Sequence, residues 1–271
     1  MRTKHDLNDL LQLMRDLRHP EHGCPWDLQQ DHASIVPHTL EEAYEVADAI
    51  ERGDSDDLKQ ELGDLLFQVV FYSQLSSEQQ DFDFSDVVDA ITAKLLRRHP
   101  HVFPDGTLAS AGVTELKLSE SDIKRNWEKI KQQERREKTQ HSITDDVPRA
   151  LPALTRANKL QRRVAHVGFD WTDTAEVVAK IREELDELEE ALANNDDSHI
   201  AEELGDLLFT CVNLARRKDI SPEAALNGCN EKFVRRFKHI ERLAEAQGRE
   251  LADMSLEELD AGWEAAKREG L

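Results

Sequence analysis

The chain has 271 residues, enough for one large domain or two of ordinary size, each with a substantial core. Charged residues make up 34%, aromatics 6%, and Gly and Pro number only 11 and 8, which suits helices with solvated faces better than turn-rich sandwiches. A formal net charge of −21 argues against nucleic acid as a partner, because phosphate backbones call for Lys and Arg. It leaves room for a small phosphorylated ligand, since a bound divalent cation inverts the local sign. Cys24, Cys211 and Cys229 form no CxxC pair, which fits a reducing compartment. Met1 leads into Arg2, Lys4, His5 and Asp6 with no long apolar run. Neither a signal peptide nor a membrane span is expected, and a cytoplasmic location follows.

In chain order, LEEAYE at 40–45 and ELGD at 61–64 come first, then KLLRR at 94–98 and the pair Trp127–Glu128. Gln132 to Pro152 is polar and charged and reads as a connection, centred on Thr139 to Asp146. REELDE at 182–187 and ELGD at 203–206 then repeat the first two blocks at a constant offset of 142, because 184 − 42 and 203 − 61 agree. KFVRR at 232–236 follows KLLRR at an offset of 138, which predicts a loop four residues longer in the first copy. Trp263–Glu264 closes the second copy. The chain is therefore an internal duplication: a module over 1–138, a linker over 139–150 and a second module over 151–271.

The second copy shows the helices most clearly. Asp173 with Glu176 predicts a capped start, and Ile181, Leu185, Leu188 and Leu192 follow the 4-3-4 spacing of one buried stripe. Asn194 to Asp197 make a turn. Ile200, Leu204, Leu207, Cys211 and Leu214 mark a second helix, Ser221–Pro222 opens a third, and Ser255 with Glu258 opens a last one containing Trp263. No alternating strand of useful length occurs, so the fold class is all-α, two tandem helical-bundle modules.

Positions three and four apart share a helix face, which groups Lys180, Glu183, Glu184 and Glu187 on one flank of the first stripe. Asp186 and Glu189 fall opposite. Glu203 and Asp206 flank the second stripe, so an antiparallel hairpin brings these acids into one cleft. Like charges that close call for a cation, and an all-oxygen donor set suits Mg²⁺, with Mn²⁺ possible, rather than Zn²⁺. The first copy repeats the acids as Glu41, Glu42, Glu45, Glu61 and Asp64. Acidic helix faces are ordinarily just solvated. Here, however, Gly63 and Gly205 sit inside the ELGD helices at a cost of about 1 kcal/mol each against Ala, and a close helix approach would account for that cost. Lys232 and Arg236 share a face suited to phosphate oxygens, while Phe233, Phe237 and Ile240 turn inward. Lys94 and Arg98 are their first-copy counterparts, and Trp127 is that of Trp263.

EExxE, then ExxD, then a basic helix in an all-helical module resembles the MazG nucleoside triphosphate pyrophosphohydrolases, over nearly the whole chain. The two ELGDLLF strings (61–67 and 203–209), KFVRR, VGFDW at 167–171 and LDAGWEAAK at 259–267 carry the likeness. The resemblance implies Mg²⁺-dependent hydrolysis of nucleoside triphosphates to monophosphate and pyrophosphate with broad base tolerance, a homodimer, and a role in limiting unwanted nucleotides. It further implies that the C-terminal copy is catalytic. Glu184, Glu187, Glu203 and Asp206 match the family's metal ligands; Lys180, Lys232 and Arg236 match triphosphate contacts, and Trp263 a nucleotide contact. The first copy departs at His38, where Lys180 stands, and at Gln60, where Glu202 stands.

The chemistry then requires the basic residues to spread developing charge while Glu183 or Glu202 orients or deprotonates the attacking water. A di-iron carboxylate bundle would need Glu-x-x-His pairs, and the chain has none. A non-catalytic nucleotide-binding regulator, or a related all-α pyrophosphatase for dUTP or phosphoribosyl-ATP, stays open.

Overall fold

The computed structural model describes residues 4–112, 119–137, 142–145 and 147–271, and among these every regular element is helical. They divide into two compact units, Met1–Glu134 and Arg135–Leu271. The first holds α1 (Leu7–Leu17), α2 (Pro25–Gln29), α3 (His32–Arg52), α4 (Ser55–Glu78), α5 (Phe84–Arg98) and most of α6 (Glu120–Glu137). The second holds α7 (Ala153–Ala165), α8 (Thr174–Asn194), α9 (Asp197–Arg217), α10 (Pro222–Ala246) and α11 (Leu256–Arg268).

The duplication is written into the helix ends. The hairpin helices α3 and α8 are both 21 residues long, and α3, α4, α8 and α9 start in register at the offset of 142. Asp31 and Asp173 each cap their helix through a reciprocal box, with Ser34 and Glu176 as the returning side chains. Left-handed residues, Gly53 at φ 70° and Asn195 at φ 53°, end the helices one residue before the next cap. The two-residue links force α4 and α9 back along their partners. Ser221 and Ser255 cap α10 and α11 as expected.

The four extra residues of the first copy are not chiefly in a loop. Helix α4 is 24 residues against 21 for α9, so three of them lengthen the helix and one lengthens the connection. After that the copies diverge. Helix α5 stops at Arg98, before His99–Pro100, whereas α10 carries Lys238 where Pro100 stands and continues to Ala246. Proline has no N–H to give and biases the residue before it out of the helix.

Met14, Ile35, Val70, Phe71 and Leu75 form the core of the first unit, where α1, α3 and α4 meet. In the second, Val177, Ala191, Val212, Ile240, Ala244 and Ala266 are buried. Buried positions on α8 fall at Val177, Glu184 and Ala191, seven apart, and on α3 at Ile35 and Ala49 with half-buried Glu42 between them. The expected stripes are therefore turned. Leu185 and Leu192 are exposed, as are Leu204, Leu208 and Cys211, while Ile181, Leu188, Ile200, Leu207 and Leu214 are half-buried. Adjacent positions lie about 100° apart on a helix, and these helices carry apolar side chains on both of the faces available. The inward face is the one that also carries the acids.

Two further expectations change. An added Cβ would meet nothing within 4 Å at Gly63 or Gly205, so no close approach within either unit explains them. The glycine that does permit one is Gly262 of α11, where a Cβ would come 3.2 Å from Ile240 Cγ1. Phe233 and Phe237 also point outward, and only Ile240 of that trio is buried.

The VGFDW segment closes the far end of the α8–α9 hairpin. Asp170 accepts from Arg216 and Arg217 at the end of α9, and Arg217 also donates to the Trp171 carbonyl at 2.6 Å. That fixes the chain just before Asp173 caps α8. Of the expected linker, residues 139–141 and 146 lie outside the described residues, as does 138 before it. Val147 is buried, and Arg163 of α7 donates to the Asp145 carbonyl, so the linker's end is fastened to the second unit.

Candidate metal centre

Glu187 stands eight residues before Asn195, and Glu203 seven residues after Asp196. At 1.5 Å rise per residue, both lie about 10–12 Å from the hairpin turn, so the two strips of acid meet at one level. One carboxylate oxygen from each of Glu184, Glu187 and Glu203 lies within 4.8 Å of the other two. Glu184 and Glu203 are buried between the helices. The first copy brings together Glu42, Glu45 and Glu61 by the same construction and within the same limit. Neither group of three includes the matching aspartate, Asp206 or Asp64, and Asp206 is exposed.

Desolvation first, then the charges of Asp64, Glu45 and Glu61, push the Glu42 carboxyl up. Glu61 is raised by desolvation and by Glu45, Asp57 and Asp64, against an opposing pull from Arg52. Asp64 is thus within electrostatic reach of the first cluster. Crowded carboxylates with raised pKa values gain from a cation set among them. Oxygen donors alone, close enough to converge on one ion at 2.0–2.6 Å, fit a hard divalent cation such as Mg²⁺ or Mn²⁺.

The basic partners differ between copies. Lys180 Nζ lies 2.8 Å from Glu183 and 3.2 Å from Glu184, and these contacts raise its pKa, the Glu183 hydrogen bond most. His38, at the same place in the first copy, pairs with Glu41 at 3.6 Å. Glu202 and Gln60 are both exposed.

A second set of contacts joins α10 to α11. Arg236 donates from Nε to the Leu271 carbonyl at 2.8 Å, and its guanidinium carbon lies 5.2 Å from the Trp263 ring centre. Phe233 also packs against Trp263, with ring centres 5.3 Å apart, and Lys232 is half-buried one turn before Arg236. In the first copy Arg97 and Arg98 instead converge on Glu134 of α6, which holds that carboxyl at about 2. Trp127 lies 6.2 Å from His99, and Lys94 is exposed.

One contact escaped sequence reasoning. His199 Nε2 lies 2.9 Å from Glu203 Oε1. The signal was present, because 199 and 203 are four apart on one helix. It carried no weight there, because a His–Glu pair four apart on a helix is ordinarily just surface charge pairing.

Two helical hairpins, each gathering three carboxylates at one level, define the class as an all-α carboxylate-cleft protein with its module repeated in tandem. The family model described as the MazG nucleotide pyrophosphohydrolase domain matches twice, over residues 30–103 and 173–241. The chain is 51% identical to the nucleoside triphosphate pyrophosphohydrolase of Escherichia coli (strain K12), over 97% of each sequence. It is 43% identical to the nucleoside triphosphate pyrophosphohydrolase/pyrophosphatase MazG of Thermotoga maritima, over 96% of this chain and 94% of that one. It is 42% identical to the uncharacterized protein YabN of Bacillus subtilis, over 97% of this chain and 52% of that one. The chain belongs to the MazG nucleotide pyrophosphohydrolase family.

Proposed function

We propose that the chain hydrolyses nucleoside triphosphates to monophosphate and pyrophosphate, with Mg²⁺ as the working ion and broad tolerance of the base. The observation that carries this reading is the convergence of Glu184, Glu187 and Glu203 on one point in a protein of this family. When bound, the ion supplies positive charge that neutralises triphosphate oxygens and polarises phosphorus. Glu184, Glu187 and Glu203 would hold it, and Asp206, three residues further along α9 and outside the group of three, would join them. Lys180, Lys232 and Arg236 take the negative charge that develops on the phosphates. Trp263, braced by Arg236 and Phe233, offers a flat face to a base, and stacking there is tolerant of base identity. Glu183 is engaged by Lys180, which leaves Glu202 to take the proton of the attacking water.

The division into a module over 1–138, a linker and a module over 151–271 belongs to this proposal, with the second module as the main catalyst. A homodimer is supported by the exposed Leu185, Leu192, Leu204, Leu208 and Phe209, more apolar surface than a solvated helix pair needs. Among the described residues no helix is long and apolar enough to cross a membrane; action on nucleotides in the cytoplasm belongs to this proposal.

Pyrophosphate release from ATP, GTP, CTP, UTP and dUTP, with and without Mg²⁺, tests the reading. Release from the whole panel only with the ion is the expected outcome. Binding of all nucleotides without release makes the protein a sensor, and release from dUTP alone makes it a narrow pyrophosphatase.

A further inference from the structure

The two carboxylate clusters differ most at a position outside them. Residues 57 and 199 correspond at the offset of 142, one helical turn before Glu61 and Glu203 respectively. In the second copy the residue is His199, whose Nε2 lies 2.9 Å from Glu203 Oε1. In the first it is Asp57, an additional acid whose charge works against Glu61. Asp57 is held instead by Arg52, which also takes Asp48 at 2.7 Å. The residue matching Arg52 is Asn194, so in place of the Arg–Asp pair of the first copy the second has an Asn and a histidine that reaches the cluster.

Resting on the reading of Glu184, Glu187 and Glu203 as metal ligands, we propose that His199 is the positioning residue of the C-terminal centre, and that Asp57 deprives the N-terminal centre of it. A carboxylate can only accept, so in this contact His199 is the side able to donate, from Nε2. The contact engages Oε1 of Glu203 and so restrains the plane of the carboxylate beside Glu184 and Glu187. Carboxylates that bind metal depend on such outer partners for orientation. On α8, Lys180 stands in the same relation to Glu184, one turn earlier and 3.2 Å away. Both buried acids of the second cluster thus carry a donor from one turn earlier on their own helix. In the first copy His38 reaches Glu41 rather than Glu42, and Asp57 has no proton to give.

Mn²⁺ binding to the full chain is the test, followed by calorimetry and by the free-ion electron paramagnetic signal. Glu42→Gln with Glu45→Gln serves as background, so that only the C-terminal centre is counted. On that background His199→Ala is expected to weaken Mn²⁺ binding about 10–100-fold, with the helical signal and melting temperature unchanged. His199→Gln, which keeps an N–H donor at similar reach, is expected to recover most of the affinity. Unchanged affinity in His199→Ala overturns the inference and leaves the metal reading intact, as does an equal loss in the Ala and Gln variants. A background protein that binds no Mn²⁺ overturns the metal reading itself, and this inference with it.

Discussion

Replacing Glu203 by Gln keeps the shape of a buried side chain and removes one charge, so it separates holding a metal from holding the fold. One carboxylate oxygen from each of Glu184, Glu187 and Glu203 is no more than 4.8 Å from the other two. At an effective dielectric of about 20, one pair of unit charges at that distance repels by about 3 kcal/mol. Glu203 takes part in two such pairs. Solvent at the open side of the cleft reduces the relief, and so does the weakening of the His199 contact, though a Gln Oε1 still accepts that proton. A net gain of about 1 kcal/mol in metal-free stability remains, which for a domain of this size raises Tm by a few degrees. Metal binding moves the other way, by more than the roughly 10–100-fold that a lost supporting contact costs, and pyrophosphate release falls by orders of magnitude. Calorimetric melting in EDTA and a coupled pyrophosphate assay with Mg²⁺ read the two effects on one protein. Near-normal turnover would remove Glu203 from the centre. A metal-free loss of more than about 2 kcal/mol would make it a structural acid instead. Glu189→Gln, exposed on α8, is the silent control.

Glu184→Gln with Glu187→Gln is expected to abolish pyrophosphate release while Glu42→Gln with Glu45→Gln leaves most of it; equal losses would mean two working or coupled centres. Arg236→Ala should weaken triphosphate binding tenfold or more by titration calorimetry, and losing its contact over Trp263 costs stability only about 0.5–1 kcal/mol. A collapse of Tm with normal nucleotide affinity would make the residue structural. Gly205→Ala finds open space in the isolated unit and should stabilise α9 by about 1 kcal/mol. A lower Tm together with a shift toward monomer in light scattering would show that this face is packed against a second copy. Glu134 titrates near 2 because Arg98 and Arg97 bond to its ionised form. The stability it contributes is present above the unfolded value of about 4.3 and is lost as pH falls toward 2. Acid unfolding of Glu134→Gln should therefore have a shallower pH dependence below pH 4 than the parent chain.

The sequence by itself determined the duplication and, in the second copy, the starts of α8, α10 and α11 and the turn before α9. Caps and turns act locally: Asp173, the turn at Asn194 to Asp197, Ser221 and Ser255 could all be read without knowing what packs on what. The acids that converge could be named too, because EExxE and ELGD recur at one offset and a short turn joins their helices. Only the tertiary structure decided which face is inside. Leu185 next to Glu184, and Leu204 next to Glu203, differ by a single 100° step, and hydrophobicity alone favours the leucine. Glu184 and Glu203 are buried where α8 and α9 face one another, and α7 packs on α9 further along, where Gln161 donates to the Phe209 carbonyl at 2.7 Å. The same choice of face leaves Gly205 beside open space rather than in a tight crossing. It also turns His199 from one more polar residue in a helix into the neighbour of a buried carboxylate. Periodicity reports how residues are spaced around a helix, while the neighbours brought up by the chain's return decide which arc of that helix loses its water.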